Sequence, residues 1–420
     1  MKKILLILFL LYSLPSFSQT TWFSQNSGVN QHLLSVSFPN ELTGYACGYT
    51  GLTSGTLVKT TDGGANWFTL TSPTRQTATL VYFFNESTGI ISGYNIDGTG
   101  ITCKTTNGGL NWAAPVVTEF AAYSVAFTSP LLGYLAGGDL FDGMSMCKTL
   151  NAGNSWGTSV EFGASLDGFS SIAFANANTG VVFGKLGASY RTTNAGTTWN
   201  QLTDENVSYR NYSAQFINDN TGFNCGRSGF LGKSTNAGAN WSYTRPLGTT
   251  DSLFAIKFTS HKVGYIFGEG SLILQTTDGA ATWEPLASPS GNTLHAVSFP
   301  SPQVGYAVGD NGTIIKTITG ILTGVTPIST NVPEKFNLHQ NYPNPFNPST
   351  KIKFDISSPG FTTIKVFDAN GKQIDELFSS QINAGSYEIN FNAEGLSSGV
   401  YYYTIESANF TETKKMILMK

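Results

Sequence analysis

Short apolar runs recur along the chain, separated by Gly- and Asn-rich turns, and they follow one repeated order. Runs of four to six residues bounded by turn signals predict β-strands. An apolar strand comes first: Leu34 to Phe38, Thr79 to Phe84, Tyr123 to Phe127, Ser171 to Phe174, Ser213 to Phe216, Phe254 to Phe258, Ala296 to Phe299. A turn and a second strand follow, opening at Gly44, Gly89, Gly133, Gly180, Gly222, Gly264 and Gly305. A third strand runs into the octapeptide Thr60-Thr61-Asp62-Gly63-Gly64-Ala65-Asn66-Trp67, and a fourth starts at its Trp. The octapeptide returns at Thr105 to Trp112, Thr149 to Trp156, Thr192 to Trp199, Ser234 to Trp241 and Thr276 to Trp283. Four short strands in each repeat of about 43 residues predict a β-propeller.

The count is seven. The seventh unit, Leu294 to Gly320, has three strands and no Trp. Thr20 to Ser24 at the start of the chain resembles the fourth strands elsewhere, and Trp22 lies 45 residues before Trp67. The expectation is that this segment completes the last blade and removes two exposed sheet edges. In the octapeptide, Asp62 or its Asn equivalents can bond backbone N–H groups ahead and close a tight turn. Gly64 allows positive φ there, and the Trp supplies a large apolar surface between units.

The grammar stops near Gly320. Ile321 to Gln340 contains Pro327 and Pro333 and reads as a linker. Asn341 to Thr350 holds three prolines, which forbid regular structure. Strands then resume at Lys351 to Ile356, Thr362 to Phe367, Gln373 to Phe378, Ser386 to Phe391, Val400 to Glu406 and Thr411 to Leu418, enough for a small Ig-like β-sandwich. Residues 1–18 read as a secretory signal: Lys2 and Lys3, the apolar run Ile4 to Leu11, and Ser16 and Ser18 before the cleavage point. The expected divisions are therefore 1–18 signal, 19–320 propeller, 321–340 linker and 341–420 sandwich. The fold class is all-β.

Net charge is −3, with 12% charged residues and no basic stripe, which argues against nucleic acid. No later run reaches the ~18 apolar residues of a membrane span. Cys47, Cys103, Cys147 and Cys225 occupy equivalent places in separate repeats, beyond disulfide reach, and read as buried thiols. The four His are scattered, and neither a zinc spacing nor a nucleophile elbow nor a phosphate loop appears. No cofactor, metal site or catalytic residue is expected. Lys59, Lys104, Lys148, Arg191, Lys233 and Lys316, each just before an octapeptide or its remnant, read as a solvated strand face.

The octapeptide resembles the Asp-box, or BNR, repeat, where the motif is a structural turn. With Gly-Tyr and a Gly three residues on, residues 20–320 resemble the photosystem II assembly factor family. That resemblance implies a non-catalytic seven-bladed propeller with a habit of binding a polypeptide. Asn341 to Thr350, Val366-Phe367-Asp368 with Gly371-Lys372, Ala384-Gly385, Ser398 to Tyr401 and Lys414-Lys415-Met416 resemble the C-terminal sorting domain of bacterial type IX secretion cargo. It implies delivery, through type IX machinery engaging residues 341–420, to the surface or medium of a Gram-negative, Bacteroidetes-like bacterium. The alternative is a secreted sialidase-like glycoside hydrolase, whose family also carries Asp-boxes. Convergence of Arg210, Arg227 and Arg245 on one pocket with Glu269 nearby would favour it; its Arg-Ile-Pro motif is absent.

In an up-and-down blade the octapeptides share one face with the first-to-second turns, and the second-to-third loops share the other. Those second-to-third loops are unequal. From the strand-two Gly to the octapeptide is 12 positions in blades one to three and 8 in blades four to seven. The expected binding rim, for a protein or a glycan, therefore comprises Tyr49, Tyr94, Asp97, Asp139, Phe141 and Asp142, with Arg210, Tyr212 and Arg245 from long inter-blade segments. Loops on a rigid scaffold are where binding concentrates.

Overall fold

The computed structural model describes residues 22–50, 54–138, 143–158, 160–162, 168–184, 187–202, 210–317, 325–329, 332–358, 360–382, 384–393, 396–407 and 410–420. The expected leader falls outside them. Seven four-stranded antiparallel sheets follow one another along the chain. Blade one is His32–Ser37, Gly44–Thr50, Ser54–Thr60 and Phe68–Thr69. The first strand of each blade contacts that of the next, and the first strand of blade seven contacts that of blade one. The sheets therefore form a closed wheel with the first strands around its axis.

Blade seven supplies Leu294–Ser301, Val304–Gly309 and Ile314–Thr317, and its outer strand is Trp22–Gln25. Trp22 stands opposite Thr317 and Gln25 opposite Ile314. The chain start thus closes the wheel, as the pattern of tryptophans predicts.

Aromatic packing explains why Phe, Gly and Trp recur at fixed places. Phe38 lies 3.6 Å from Tyr306 of the preceding blade, stacked, and 5.8 Å from its own Trp67, edge-on. A Cβ on Gly44 would come within 2.1 Å of the Phe38 ring, so only glycine fits beneath it. The arrangement recurs: Phe83 sits between Tyr45 and Trp112, Phe174 between Tyr134 and Trp199, and Phe299 between Tyr265 and Trp22. Trp22 fills the place that a seventh octapeptide would have filled.

The octapeptide is a self-bonded turn. Thr60 Oγ1 donates to Asp62 Oδ1 (2.8 Å) and accepts from Gly64 N (2.9 Å). Asp62 Oδ1 also accepts from Asn66 N at 2.9 Å. The fourth residue adopts positive φ, and its carbonyl points toward the preceding blade. There the basic side chain before four of the octapeptides, and Lys316 before the remnant, reaches across. Lys59 donates to Gly108 O, Lys104 to Ala152 O, Lys148 to Ala195 O, Arg191 to Ala237 O and Lys316 to Gly63 O, all at 2.7–3.0 Å. Tyr45, Tyr134 and Tyr306 donate their hydroxyls to the same carbonyls. These five cations are inter-blade clamps, which corrects the reading of them as a solvated face; Lys233 lies instead 5.5 Å from the centroid of the Phe223 ring in its own blade. At blade six the position is Gln275, which donates to its own Tyr265 hydroxyl at 3.0 Å. The next unit, blade seven, carries no octapeptide to receive a clamp.

The C-terminal region is a sandwich of two four-stranded sheets, with Ile352, Phe354, Ile364, Val366, Tyr403 and Ile405 buried between them. Two of its strands, Val325–Ser329 and Asn337–Leu338, come from the segment read as linker. Val325–Ser329 is an edge strand with an irregular register at Pro327, a place where proline costs no ladder hydrogen bond. The proline-rich run is held by Asn341, buried, whose Nδ2 donates to Pro343 O and Thr350 Oγ1, and whose N–H donates to the Tyr403 hydroxyl.

Candidate functional site

The two faces of the wheel differ in what their polar groups do. On the octapeptide face, loop carbonyls are engaged by the clamps. On the opposite face, one feature repeats in every blade. The register between first and second strands slips after Leu33, Ala78, Ala122, Phe169, Asn211, Leu253 and Leu294. Each slip leaves one first-strand residue unpaired in a β-bulge. These residues are Leu34, Thr79, Tyr123, Ser170, Tyr212, Phe254 and His295, a seven-membered ring at one mouth of the axis.

The ring has two characters. Thr79 and Ser170 are buried and stitch neighbouring blades: Thr79 Oγ1 donates to Ala122 O at 2.6 Å and Ser170 Oγ to Asn211 O. Tyr123 meets the hydroxyl of Tyr94 at 3.4 Å. From blade five to blade one the residues are large and half-buried, and they touch in series. Tyr212 lies 4.9 Å from Phe254, and Phe254 lies 5.2 Å from His295. His295 Nε2 is 2.7 Å from Asp310 Oδ1, and His32 Nδ1 is 2.6 Å from the same oxygen. His32 stacks on Tyr49 at 5.2 Å. The outcome is a strip of six side chains from four blades, with one carboxylate in its middle. Burial pushes the Asp310 carboxyl up, but the hydrogen bonds from His295 and His32 outweigh it and hold it below its ordinary value.

Asp310 opens a 3-10 turn, Asp310–Gly312, in the short second-to-third loop of blade seven. Blades five and six build the same turn at Arg227–Gly229 and Glu269–Ser271. In each, the first residue donates its N–H to the carbonyl two positions before the bulge residue: Arg227 to Arg210, Glu269 to Ser252, Asp310 to Thr293. The equal loops therefore present Arg227, Glu269 and Asp310 at one equivalent place around the mouth.

Tyr49 and Tyr212 stand at the two ends of the strip. Tyr94 adjoins Tyr49 through Thr77, which bridges to Tyr49 and accepts the Tyr94 N–H at 2.9 Å. Asp97 is exposed and folded back on the Thr99 N–H of its own loop, at 3.0 Å. Asp139, Phe141 and Asp142 lie outside the described residues. Arg210 enters through its backbone carbonyl. Arg245 is drawn aside: its Nε donates to Ser228 O at 3.0 Å and its guanidinium covers the Phe230 ring at 4.6 Å. Glu269 Oε2 accepts from Ser252 N at 3.2 Å. Among the described residues no ion pair joins Arg210, Arg227 or Arg245 to Glu269. Sequence reasoning missed His32, Phe254, His295 and Asp310. The run of large residues Tyr212, Phe254 and His295 at one position of successive first strands is visible in the sequence, but nothing there marks the slip or brings in His32 and Asp310.

The four cysteines are buried and unbridged. Burial pushes the thiols up, to about 11 for Cys103 and about 12 for Cys147, which leaves them unreactive packing groups. Among the described residues no group of three His, Cys, Asp or Glu is placed to hold a metal ion. Among them, too, no helix is long and apolar enough to cross a membrane.

Fold and tail together define an exported β-propeller delivered by a secretion sorting domain. Residues 340–419 match the family described as the secretion system C-terminal sorting domain. That domain marks type IX cargo of Bacteroidetes, secreted to the cell surface or the medium, and it implies engagement of the type IX machinery. No curated protein matches the chain by sequence. Among solved structures, YCF48 bound to a D1 peptide is similar at 18% identity and TM-score 0.58, covering 73% of this chain and all of that one. The GH74 xyloglucanase of Xanthomonas campestris is similar at 13% identity and TM-score 0.56, covering 80% of this chain and 59% of that one. Virginiamycin B lyase of Staphylococcus aureus is similar at 10% identity and TM-score 0.56, covering 71% and 99%. These likenesses establish the fold, which carries both binding proteins and enzymes.

Proposed function

We propose that the protein is a non-catalytic binding or scaffold protein at the cell surface or in the medium, and that its partner docks on the face opposite the octapeptide turns. One observation carries this reading. The turn face is occupied by inter-blade clamps, whereas the opposite face gathers half-buried aromatic, imidazole and carboxylate side chains that keep part of their surface open. Tyrosine and other aromatic anchors in such partly covered positions are favoured at interfaces. The four extra residues in each loop of blades one to three add to the same rim. A polypeptide partner is the reading favoured by the resemblance to YCF48, which is seen with a D1 peptide.

Affinity capture from the native cell surface with the full chain tests this. Shortening the three long loops to the length of the other four is expected to abolish recovery of the partner, with the unfolding midpoint retained. Unchanged capture would remove the face from consideration. Glycan turnover by the purified chain, abolished by substituting residues of the strip, would replace binding with hydrolysis.

A further inference from the structure

The strip between blades five and one joins an ionised carboxylate to aromatic faces. Asp310 Oδ1 takes both imidazoles, His295 Nε2 at 2.7 Å and His32 Nδ1 at 2.6 Å. Against a carboxylate acceptor, each imidazole nitrogen facing it carries the proton. The Asp310 side chain keeps 29% exposure, and those of His32 and His295 keep 41% and 22%. A fully internal ion cluster would be sealed; this one opens on the mouth of the axis. Around it lie Tyr49 on one side and Phe254 and Tyr212 on the other, all partly exposed. One blade away, Glu269 holds the position equivalent to Asp310.

A carboxylate beside open π faces is complementary to a cation with an apolar stem. Lysine and arginine side chains supply both parts, the charge for Asp310 and the stem for the rings. A neutral sugar would use the rings but would leave the carboxylate without a counter-ion. An anionic group would be repelled by Asp310 and Glu269, and among the three equivalent turns would find a cation only at Arg227, two blades from Asp310. Resting on the reading of this face as a polypeptide-binding surface, we infer that the strip seats a lysine or arginine side chain of an extended partner segment, with Asp310 as its counter-ion and Tyr49, Phe254 and Tyr212 as its walls.

The test is selection of a random heptapeptide phage library on the full secreted chain, followed by fluorescence anisotropy with the recovered peptides. The expected result is enrichment of lysine or arginine at one position beside an apolar residue, and affinity that falls as sodium chloride is raised. Asp310→Asn should weaken such a peptide at least tenfold. Replacing the peptide's cation by norleucine should cost about as much, and Asp310→Asn should then cost little more. Phe254→Ala should weaken binding several-fold while leaving Asp310 and both of its imidazole donors in the chain, which covers the case in which Asp310→Asn loosens the blade. Peptides without a cation, no recovered peptide, or binding indifferent to Asp310→Asn and to norleucine would overturn the inference. If such binders are lost on shortening the loops of blades one to three, the face reading stands and only the cation site falls. If binding responds to neither change, both fall.

Discussion

Lys316 Nζ, on the third strand of the last blade, donates to the carbonyl of Gly63 in the first octapeptide at 2.7 Å, and the Tyr306 hydroxyl donates to the same oxygen at 3.0 Å. Two residues some 250 positions further along the chain thus hold the first turn in place. The seam where the ends of the propeller meet is fastened by the same device that joins blades adjacent in sequence. Burial lowers the Lys316 ammonium from its ordinary value, and the nearby Glu41 and Asp62 oppose that. A charge-assisted bond of this kind contributes about 1.5–3 kcal/mol. Because Lys316 keeps part of its surface exposed, Lys316→Met is expected to cost about 1.5 kcal/mol in urea unfolding. Combined with Tyr306→Phe, the loss should exceed the sum of the two, since only the double variant strips both donors from the one carbonyl. Strict additivity would show that the shared acceptor does not couple them.

Trp22 closes the wheel from the other side. It is buried, and its ring meets Tyr265, Phe267 and Phe299 edge-on at 5.2–6.3 Å. Truncating a buried Trp to Ala costs about 3–5 kcal/mol. Trp67 performs the same role in blade one but is half-buried. Trp22→Ala should therefore destabilise more than Trp67→Ala. It should also expose the Ile314–Thr317 edge, read out as increased dimer or aggregate by light scattering. Equal effects of the two substitutions would mean that closure is not a special feature of the seam.

Much of this architecture was legible because its causes are local and repeated. A turn closed by Thr60 and Asp62, a glycine under Phe38 and a Trp against that Phe each leave a mark in the sequence, and seven repeats multiply it. The clamps were visible as residues but not as contacts. Lys59 and Gly108 are far apart in the chain, and only the wheel brings each basic side chain to the next carbonyl. Gln275 was the one clue, a neutral residue where the next unit has no octapeptide. The bulge ring was illegible for a similar reason: a one-residue slip does not change composition, and His32, His295 and Asp310 meet only where blade seven joins blade one. The strand Val325–Ser329 was hidden by Pro327, which an edge position tolerates.

Acid should act on two of the six octapeptides more than on the others. Hydrogen bonds from the Asn66 side chain and backbone and from Thr60 hold the Asp62 carboxyl at about 2. At Asp278, burial pushes the carboxyl up, but bonds from Thr282, Thr276 and Ala281 outweigh it and hold it at about 2. Both pKa values are depressed in the folded protein. Their contribution is therefore present above the ordinary carboxylate range near 4, and is lost as pH falls from about 4 through about 2. Asn107, Asn151, Asn194 and Asn236 make the equivalent turns without a titrating group. Asp62→Asn with Asp278→Asn should flatten the dependence of unfolding free energy on pH between 4 and 2, while leaving the fold at pH 7. An unchanged slope would show that acid sensitivity arises elsewhere.

Asn224 offers a substitution expected to stabilise. It is fully buried on the second strand of blade five, and among the described residues neither its Nδ2 nor its Oδ1 has a partner. The equivalent residues elsewhere are Ala46, Ile91, Leu135, Val182, Ile266 and Ala307, all apolar. Opposite it stands Gly232, where an added Cβ would lie 2.3 Å from Asn224 Oδ1, so the amide fills the space that a larger neighbour would need. An unmatched buried amide costs about 1–3 kcal/mol. Asn224→Val keeps a branched side chain over the glycine and removes that cost. It is expected to raise stability by about 1–2 kcal/mol in denaturant unfolding, with no change in far-UV circular dichroism. Gly232→Ala in the natural background should instead destabilise, and should do so less once Asn224 is valine. A lower midpoint for Asn224→Val would show that the amide is satisfied in solution and that this blade depends on it.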